Sequence, residues 1–459
     1  MIKKNPGSFR DPSGHLFQDN GVLFRQVNVS YQKNYELLIN TGLYSSLSKQ
    51  KKLIEHKEIN SDNHDYYKLL KPSLIENISY PYEWSFTQLK DAALLTLDIQ
   101  KQALMKGISL KDASAFNVTF NKGRPIFIDT LSFESYSEGA PWVAYKQFCQ
   151  HFLAPLSLMS LTDIRLSGLL KNYVDGIPLD LTSSLLPKTS YFKFGMLIHV
   201  HIHAKSQKKY DSIVGNEKIT NVRVSKNRLL ALIDSLEVTI KKLNWSAGGT
   251  EWDSYYSDNN NYNKESMSEK ETIVESFISE IHPNIVWDLG ANDGHFSRIA
   301  LKHAQNVISW DIDPSCVERN YLAVKNTNQD GITPLLIDLT NPSPSIGWNC
   351  EERDSFVQRA EVDLTLALGL VHHLAISNNL PLRYIFKFFF KITNYLIIEF
   401  IPKSDSQVEK LLLSRRDIFD DYTKDGFEKS FHGLFNILSF KKLHHSERTL
   451  YFLEKKLES

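Results

Sequence analysis

The stretch Val286-Trp-Asp-Leu-Gly-Ala-Asn-Asp-Gly-His-Phe-Ser-Arg298 constrains this chain most tightly. The apolar run Ile285-Val286-Trp287 has the pattern of a buried strand, and it stops on Asp288. Gly290 and Gly294 bracket a tight turn, and Phe296-Ser-Arg-Ile-Ala-Leu301 reads as the start of a helix. Strand, glycine turn and helix in that order predict an open α/β sheet. Such a sheet brings bare backbone N–H groups up to a ligand at the strand's carboxyl end. The spacing is Asp-x-Gly-x-Asn-x-Gly, which does not fit the GxGxxG dinucleotide fingerprint.

The residues that follow repeat the strand–helix alternation. Asn306-Val-Ile-Ser-Trp310 is a second strand closing on Asp311, and Asp313-Pro314 starts the next helix. Thr333-Pro-Leu-Leu-Ile337 is a third, ending in Asp338. Asp363-Leu-Thr-Leu-Ala-Leu-Gly-Leu-Val-His-His-Leu374 gives a fourth strand running into a His372-His373 turn. A helix over Pro381 to Lys391 leads to a fifth strand, Asn394 to Ile401, which carries Glu399. Phe435 to Phe440 and Arg448 to Leu453 supply two closing strands.

With acids at three successive strand ends, residues 270–457 resemble the class I S-adenosylmethionine (SAM) dependent methyltransferases. The glycine turn is similar to their motif I, with Asn292 where many members carry a middle glycine. The resemblance implies a Rossmann-like seven-stranded sheet, its last strand antiparallel, with SAM as cofactor. It implies that Asp288, Gly290, Asn292 and Gly294 surround the cofactor, Asp311 accepts its ribose hydroxyls and Asp338 meets the adenine amino group. The Asp363–Leu374 stretch looks like motif IV, on the methyl-transfer side. A base is needed only for a weak nucleophile such as an alcohol. By position His372, His373 and Glu399 are the candidates. The alternatives are a structural turn beside the cofactor for the histidines, and a helix-capping or lysine-paired acid for Glu399. Upstream, Trp252, Tyr255, Tyr256 and Tyr262 form an aromatic cluster that suits either a cofactor cover or ordinary surface packing.

The first half is organised differently. Phe17 to Val29 suggests short strands, Tyr35 to Leu47 a helix weakened by Gly42, and Leu53 to Ile59 a strand. Phe86 to Leu104 has a strong amphipathic helix pattern, with Leu89, Ala93, Leu97 and Leu104 near one face. Asp112 follows, then Asn117 five positions on, then a Lys122-Gly123 turn and Ile128-Asp129. This order resembles the catalytic core of kinase-fold phosphotransferases. The resemblance implies a proton-accepting role for Asp112 and metal-holding roles for Asn117 and Asp129. It departs from those enzymes at Leu110-Lys111 and at Asp129-Thr-Leu, and no glycine-rich phosphate loop precedes it. The bland alternative is a hairpin whose acids cap turns. Residues 136–245 look helical. Within them His199, His201 and His203 alternate, but on a helix they diverge, and no acid or cysteine beside them has metal-ligand spacing.

Composition narrows the partners. Lys+Arg 53 against Asp+Glu 53 gives zero net charge, which provides no pull toward nucleic acid or an anionic membrane. Three cysteines, Cys149, Cys316 and Cys350, are too few and too odd for a disulfide framework. The most apolar stretch, Tyr384 to Ile401, is broken by Lys387 and Lys391 and suits a buried helix and strand better than a membrane span. We expect a cytoplasmic protein of two domains. Residues 1–245 would form an α+β, kinase-like recognition domain, and residues 246–459 a methyltransferase acting on a small-molecule or saccharide acceptor. A bifunctional phosphotransferase and a non-catalytic SAM-binding scaffold are the alternatives. As a whole the chain also resembles bacterial two-part methyltransferase-domain proteins, some of them described among nodulation or surface-saccharide functions.

Overall fold

The computed structural model describes residues 3–60, 65–206, 223–248, 264–413, 415–444 and 446–457. The aromatic cluster at Trp252, Tyr255, Tyr256 and Tyr262 lies outside them. The chain divides into two compact units. Residues 1–246 and 345–353 make one, and residues 247–344 and 354–459 make the other.

The first unit opens with a five-stranded antiparallel sheet. Its strands are β1 (Lys3–Lys4), β2 (Gly14–Asp19), β3 (Val22–Val27), β4 (His56–Ile59) and β5 (Lys68–Pro72), in the order β1-β2-β3-β5-β4. Asn20 and Gly21 turn the β2–β3 hairpin with φ of 48° and 79°, the left-handed pair that matches strand twist. The single helix expected over Tyr35 to Leu47 is two helices, Gln32–Asn40 and Leu43–Lys49. Gly42 at φ +71 separates them, in a conformation that no helix interior holds. Of the strand expected over Leu53 to Ile59, only β4 joins the sheet, while Leu53 bridges to Phe127 instead.

The helix Phe86–Met105 begins with a capping box. The Ser85 hydroxyl accepts from the Gln88 N–H, and the Gln88 side chain accepts from the Ser85 N–H. It buries Leu89, Ala93, Leu97 and Leu104. Four short strands follow: β6 (Ile108–Leu110), β7 (Val118–Asn121), β8 (Arg124–Phe127) and β9 (Phe133–Ser135). β7 pairs with β8 and β6 with β9, so the two hairpin-like pairs enclose residues 111–117 and 128–132. The later part is helical. His199 lies between the Tyr145 hydroxyl (2.8 Å) and Ser235 Oγ (2.9 Å). His201 lies between Ser183 and Ser190, and His203 stacks on the Tyr145 ring, so the three histidines diverge.

The second unit is a mixed α/β domain of Rossmann-like design. Its strands are β10 (Ile285–Leu289), β11 (Asn306–Asp311), β12 (Ile332–Leu336), β13 (Val362–Ala367), β14 (Thr393–Phe400), β15 (Phe435–Lys442) and β16 (Thr449–Lys455). The order is β12-β11-β10-β13-β14-β16-β15, with β16 alone running against its neighbours. This is the seven-stranded arrangement implied by the resemblance of residues 270–457. The order reverses between β10 and β13, and an α/β sheet opens a crevice at the carboxyl ends of strands at such a switch point. Val286, Leu364, Leu366 and Ile397 pack with the helices Lys264–Ile281 and His295–Leu301 through Val274, Phe277, Ile278 and Phe296. Among the described residues no helix is long and apolar enough to cross a membrane.

One charged pair crosses this core. Lys270 Nζ lies 2.8 Å from Glu399 Oε2, with the two side chains 5% and 0% exposed. Burial pulls the Lys270 ammonium below its usual range, and the carboxylate opposes that shift. Removing one partner strands a buried charge, so Lys270→Met should cost about 3–5 kcal/mol of stability in urea unfolding. Lys270→Met combined with Glu399→Leu should recover most of it. A single substitution costing under about 1 kcal/mol would show that the pair is solvated.

Candidate functional site

The turn after β10 is built from left-handed residues. Gly290, Asn292 and Gly294 have φ of 77°, 52° and 83°, and Gly294 caps the helix His295–Leu301. The sequence predicts bare amides here, and the structure corrects that. The N–H groups of Gly290 and Ala291 both donate to the Trp310 carbonyl, at 2.8 and 3.0 Å. Those of Asn292, Asp293 and Gly294 donate to Asp311 Oδ2, Asn292 Oδ1 and the Ala291 carbonyl. The alternating left-handed residues fold the amides back onto the sheet. The turn therefore offers a close backbone approach and neighbouring carboxylates, not free donors. A Cβ on Gly294 would lie 2.4 Å from Asn320 Nδ2, whereas one on Gly290 would meet only Leu370, at 3.4 Å.

The acids differ in setting. Asp288 is buried and accepts from the Ser297 hydroxyl (2.6 Å), which itself accepts from Ser309 (2.7 Å). Burial pushes the Asp288 carboxyl up to about 7. Asp311 accepts the amides of Asn292 (2.7 Å) and Asp313 (2.9 Å), one on each oxygen. Burial raises its carboxyl to about 6, and those amides oppose the rise. Asp338 is half-buried and accepts both the N–H and the hydroxyl of Thr340.

Beyond β13, Glu399 Oε2 accepts the Gly369 N–H at 2.8 Å as well as the Lys270 ammonium. Glu399 thereby ties β14 to the turn that carries the histidines. Arg448 stands 3.9 Å from Glu399 and binds Asp405 at 2.7 Å. His372 is buried, its Nδ1 lacks a partner, and its ring centroid lies 4.0 Å from that of His373. Burial, then His373, Arg448 and Lys270, lower the His372 pKa well below the usual imidazole range. Burial lowers His373 to about 4.

In the first unit Asp112, Asn117 and Asp129 come together. Asn117 hydrogen-bonds Asp112 and donates to Ser132 Oγ at 3.2 Å, and that hydroxyl donates to Asp129. Each acid also accepts the amide two residues on, from Ser114 and Leu131, as a turn-capping acid does. Burial and the nearby Asp129 raise the Asp112 pKa. Arg25, from β3, lies 2.5 Å from Asp129.

Against known proteins, the chain is 34% identical over 461 residues to the nodulation protein NoeA of Rhizobium meliloti (strain 1021), covering 98% of this chain and 95% of that one. This chain belongs to the NoeA family. No protein-family profile matches it. Among solved structures, the N-methyltransferase NodS of Bradyrhizobium japonicum WM9, bound to S-adenosyl-L-homocysteine, aligns over 46% of this chain and 94% of its own. That alignment has 12% identity and a TM-score of 0.34. The PH0226 protein of Pyrococcus horikoshii OT3 aligns over 46% and 100%, at 14% identity and a TM-score of 0.33.

For this NoeA-family member, three buried cations among the described residues escape a local reading of the sequence. Lys270 is one, although the spacing Met267, Lys270, Val274, Phe277 and Ile281 puts it on the apolar face of its helix. Such a lysine needs a buried partner. Arg448 and Arg25 carry no comparable signal. The glycine turn itself is testable. Gly294→Ala should cost about 2–4 kcal/mol in urea unfolding, from the left-handed φ together with overpacking against Asn320. Gly433, at φ +83 with open space around it, serves as the control. Gly433→Ala should cost only the backbone part, about 1–2 kcal/mol. Equal costs would show that Asn320 yields freely.

Proposed function

We propose that residues 246–459 bind SAM and transfer its methyl group to a small-molecule or saccharide acceptor in the cytoplasm. The observation that carries this is Asp311. It is a buried carboxylate at the end of β11, held by two amides beside a left-handed glycine turn at the sheet's switch point. A carboxylate has about four acceptor positions, more than the neighbouring amides occupy, which leaves capacity for a ribose hydroxyl. Asp338 at the end of the neighbouring strand suits the adenine amino group, and Gly290 leaves room for close backbone approach. Asp288, bonded to Ser297, fixes the strand-to-helix corner from within.

SAM, when bound, supplies an electrophilic sulfonium methyl, and alignment of the acceptor accounts for most of the acceleration of such a displacement. Glu399 is committed to Lys270 and the Gly369 amide, which favours a positioning role. His372 and His373 are neutral at pH 7 and weakly basic. A base works best with a pKa near the working pH. This set favours an acceptor atom whose lone pair needs no strong base.

Residues 1–245 read best as a kinase-like recognition domain. Helical structure between β3 and β4, a cation on β3, and the Asp112–Asn117–Asp129 cluster favour that reading. Arg25 already neutralises Asp129, where phosphoryl transfer calls for a metal ion, which favours recognition over turnover.

Calorimetry with S-adenosylhomocysteine tests the cofactor assignment. Asp311→Ala should weaken binding by about 1.5–3 kcal/mol, the loss expected for hydrogen bonds to a charged group. A carboxyl near 6 goes from about one-tenth to about nine-tenths ionised between pH 5 and 7, so wild-type affinity should rise about tenfold over that range. Asp311→Asn should flatten the profile. Stability without ligand runs the other way. A carboxyl raised by folding contributes stability at low pH that is lost as pH climbs through about 6. A well-folded wild type that binds no S-adenosylhomocysteine would refute the proposal.

A further inference from the structure

In the first unit the loop of residues 5–13 meets the turn that follows β6. Arg25 Nη2 lies 3.2 Å from Asp11 Oδ2 and 2.5 Å from Asp129 Oδ1. Lys111 Nζ lies 2.5 Å from Ser13 Oγ and 4.0 Å from Asp11 Oδ1, above the Tyr31 ring at 4.8 Å. Asp11 Oδ1 also accepts the Ser13 N–H at 2.9 Å. The Asp11 carboxylate thus sits between two cations from separate elements. Arg25 is 9% exposed, and its buried Nε–H has no acceptor. A buried guanidinium with an unspent donor, an ammonium and a backbone N–H around one carboxylate form an oxyanion receptor, filled here by the chain's own acid.

We propose that Arg25 and Lys111 form a binding site for a phosphoryl group, and that Asp11 occupies it as a built-in competitor. Arg25 and Lys111 balance Asp11 and Asp129, so swinging Asp11 out leaves one positive charge for the incoming anion. A guanidinium and an ammonium on either side of one position suit the several oxygens of a phosphoryl group, which both can reach at once. The site rests on the kinase-like reading of the first unit, which it deepens, and it does not depend on the methyl-transfer proposal.

The test uses the full chain with inorganic pyrophosphate, without metal, in calorimetry at low salt. A site open about one-tenth of the time binds about tenfold more weakly than one held open. Asp11→Asn should therefore bind pyrophosphate at least about tenfold more tightly than wild type. Lys111→Ala in the Asp11→Asn background should remove the gain. Lys111, at 26% exposure, is the safer second variant, because Arg25→Gln strands Asp129. Parallel titration with ADP and with a sugar phosphate identifies the source of the phosphoryl group, and in both the gain should follow Asp11→Asn. Unchanged affinity in a folded Asp11→Asn protein, or a gain that survives Lys111→Ala, would overturn the site. S-adenosylhomocysteine binding by the same variants reports separately on the second unit, so failure of one proposal is distinguishable from failure of the other.

Discussion

The carboxyl end of β11 holds the candidate site together. Trp310 and Asp311 are adjacent, and between them they accept the first three amides of the turn after β10. That arrangement depends on the parallel register in which Leu289 faces Trp310. A slip of one residue would turn Asp311 to the other face of the sheet and leave the turn unanchored. The ring of Trp310, packed among Trp287 and Phe356, fixes the register from the opposite face. The site is therefore formed by strand pairing before any ligand arrives, and preorganisation of that kind lowers the entropic cost of binding.

The turn after β13 rests on buried charge. Lys270 and Arg448 oppose Glu399 and Asp405, and the four charges balance. Glu399 accepts the Gly369 amide at the start of the turn that carries His372 and His373. Glu399 thereby sets the position of the turn. Burial, and after it His373 and the same two cations, lower the His372 pKa well below the usual imidazole range. A network of this sort does not add much stability over apolar packing, but breaking it by halves is costly.

What the sequence reveals here is mostly local. The strand–turn–helix at Val286–Arg298 and the acids at the ends of β10 and β11 are legible because each lies within a few residues of its structural cause. So is the helix Phe86–Met105, whose capping box and apolar face are contiguous. The break at Gly42 is harder to read, because flanking helical patterns mask a left-handed residue. The direction of the turn's amides depends on Trp310, on another strand. Glu399 meets Lys270 from 129 positions away, and Asp129 meets Arg25 across two elements. No window of sequence holds both partners. Residues 345–353 fall within the methyltransferase-like stretch yet pack in the first unit, where Glu352 binds Arg10 and Arg353 lies over Phe116. Composition gives no sign of that excursion.

Diffraction from crystals of the full chain grown with S-adenosylhomocysteine tests the central claim most directly. The account predicts one ligand at the carboxyl ends of β10 and β11, its ribose hydroxyls within hydrogen-bond reach of Asp311 and its adenine beside Asp338. Ligand bound elsewhere, or a ribose turned away from Asp311, would contradict it.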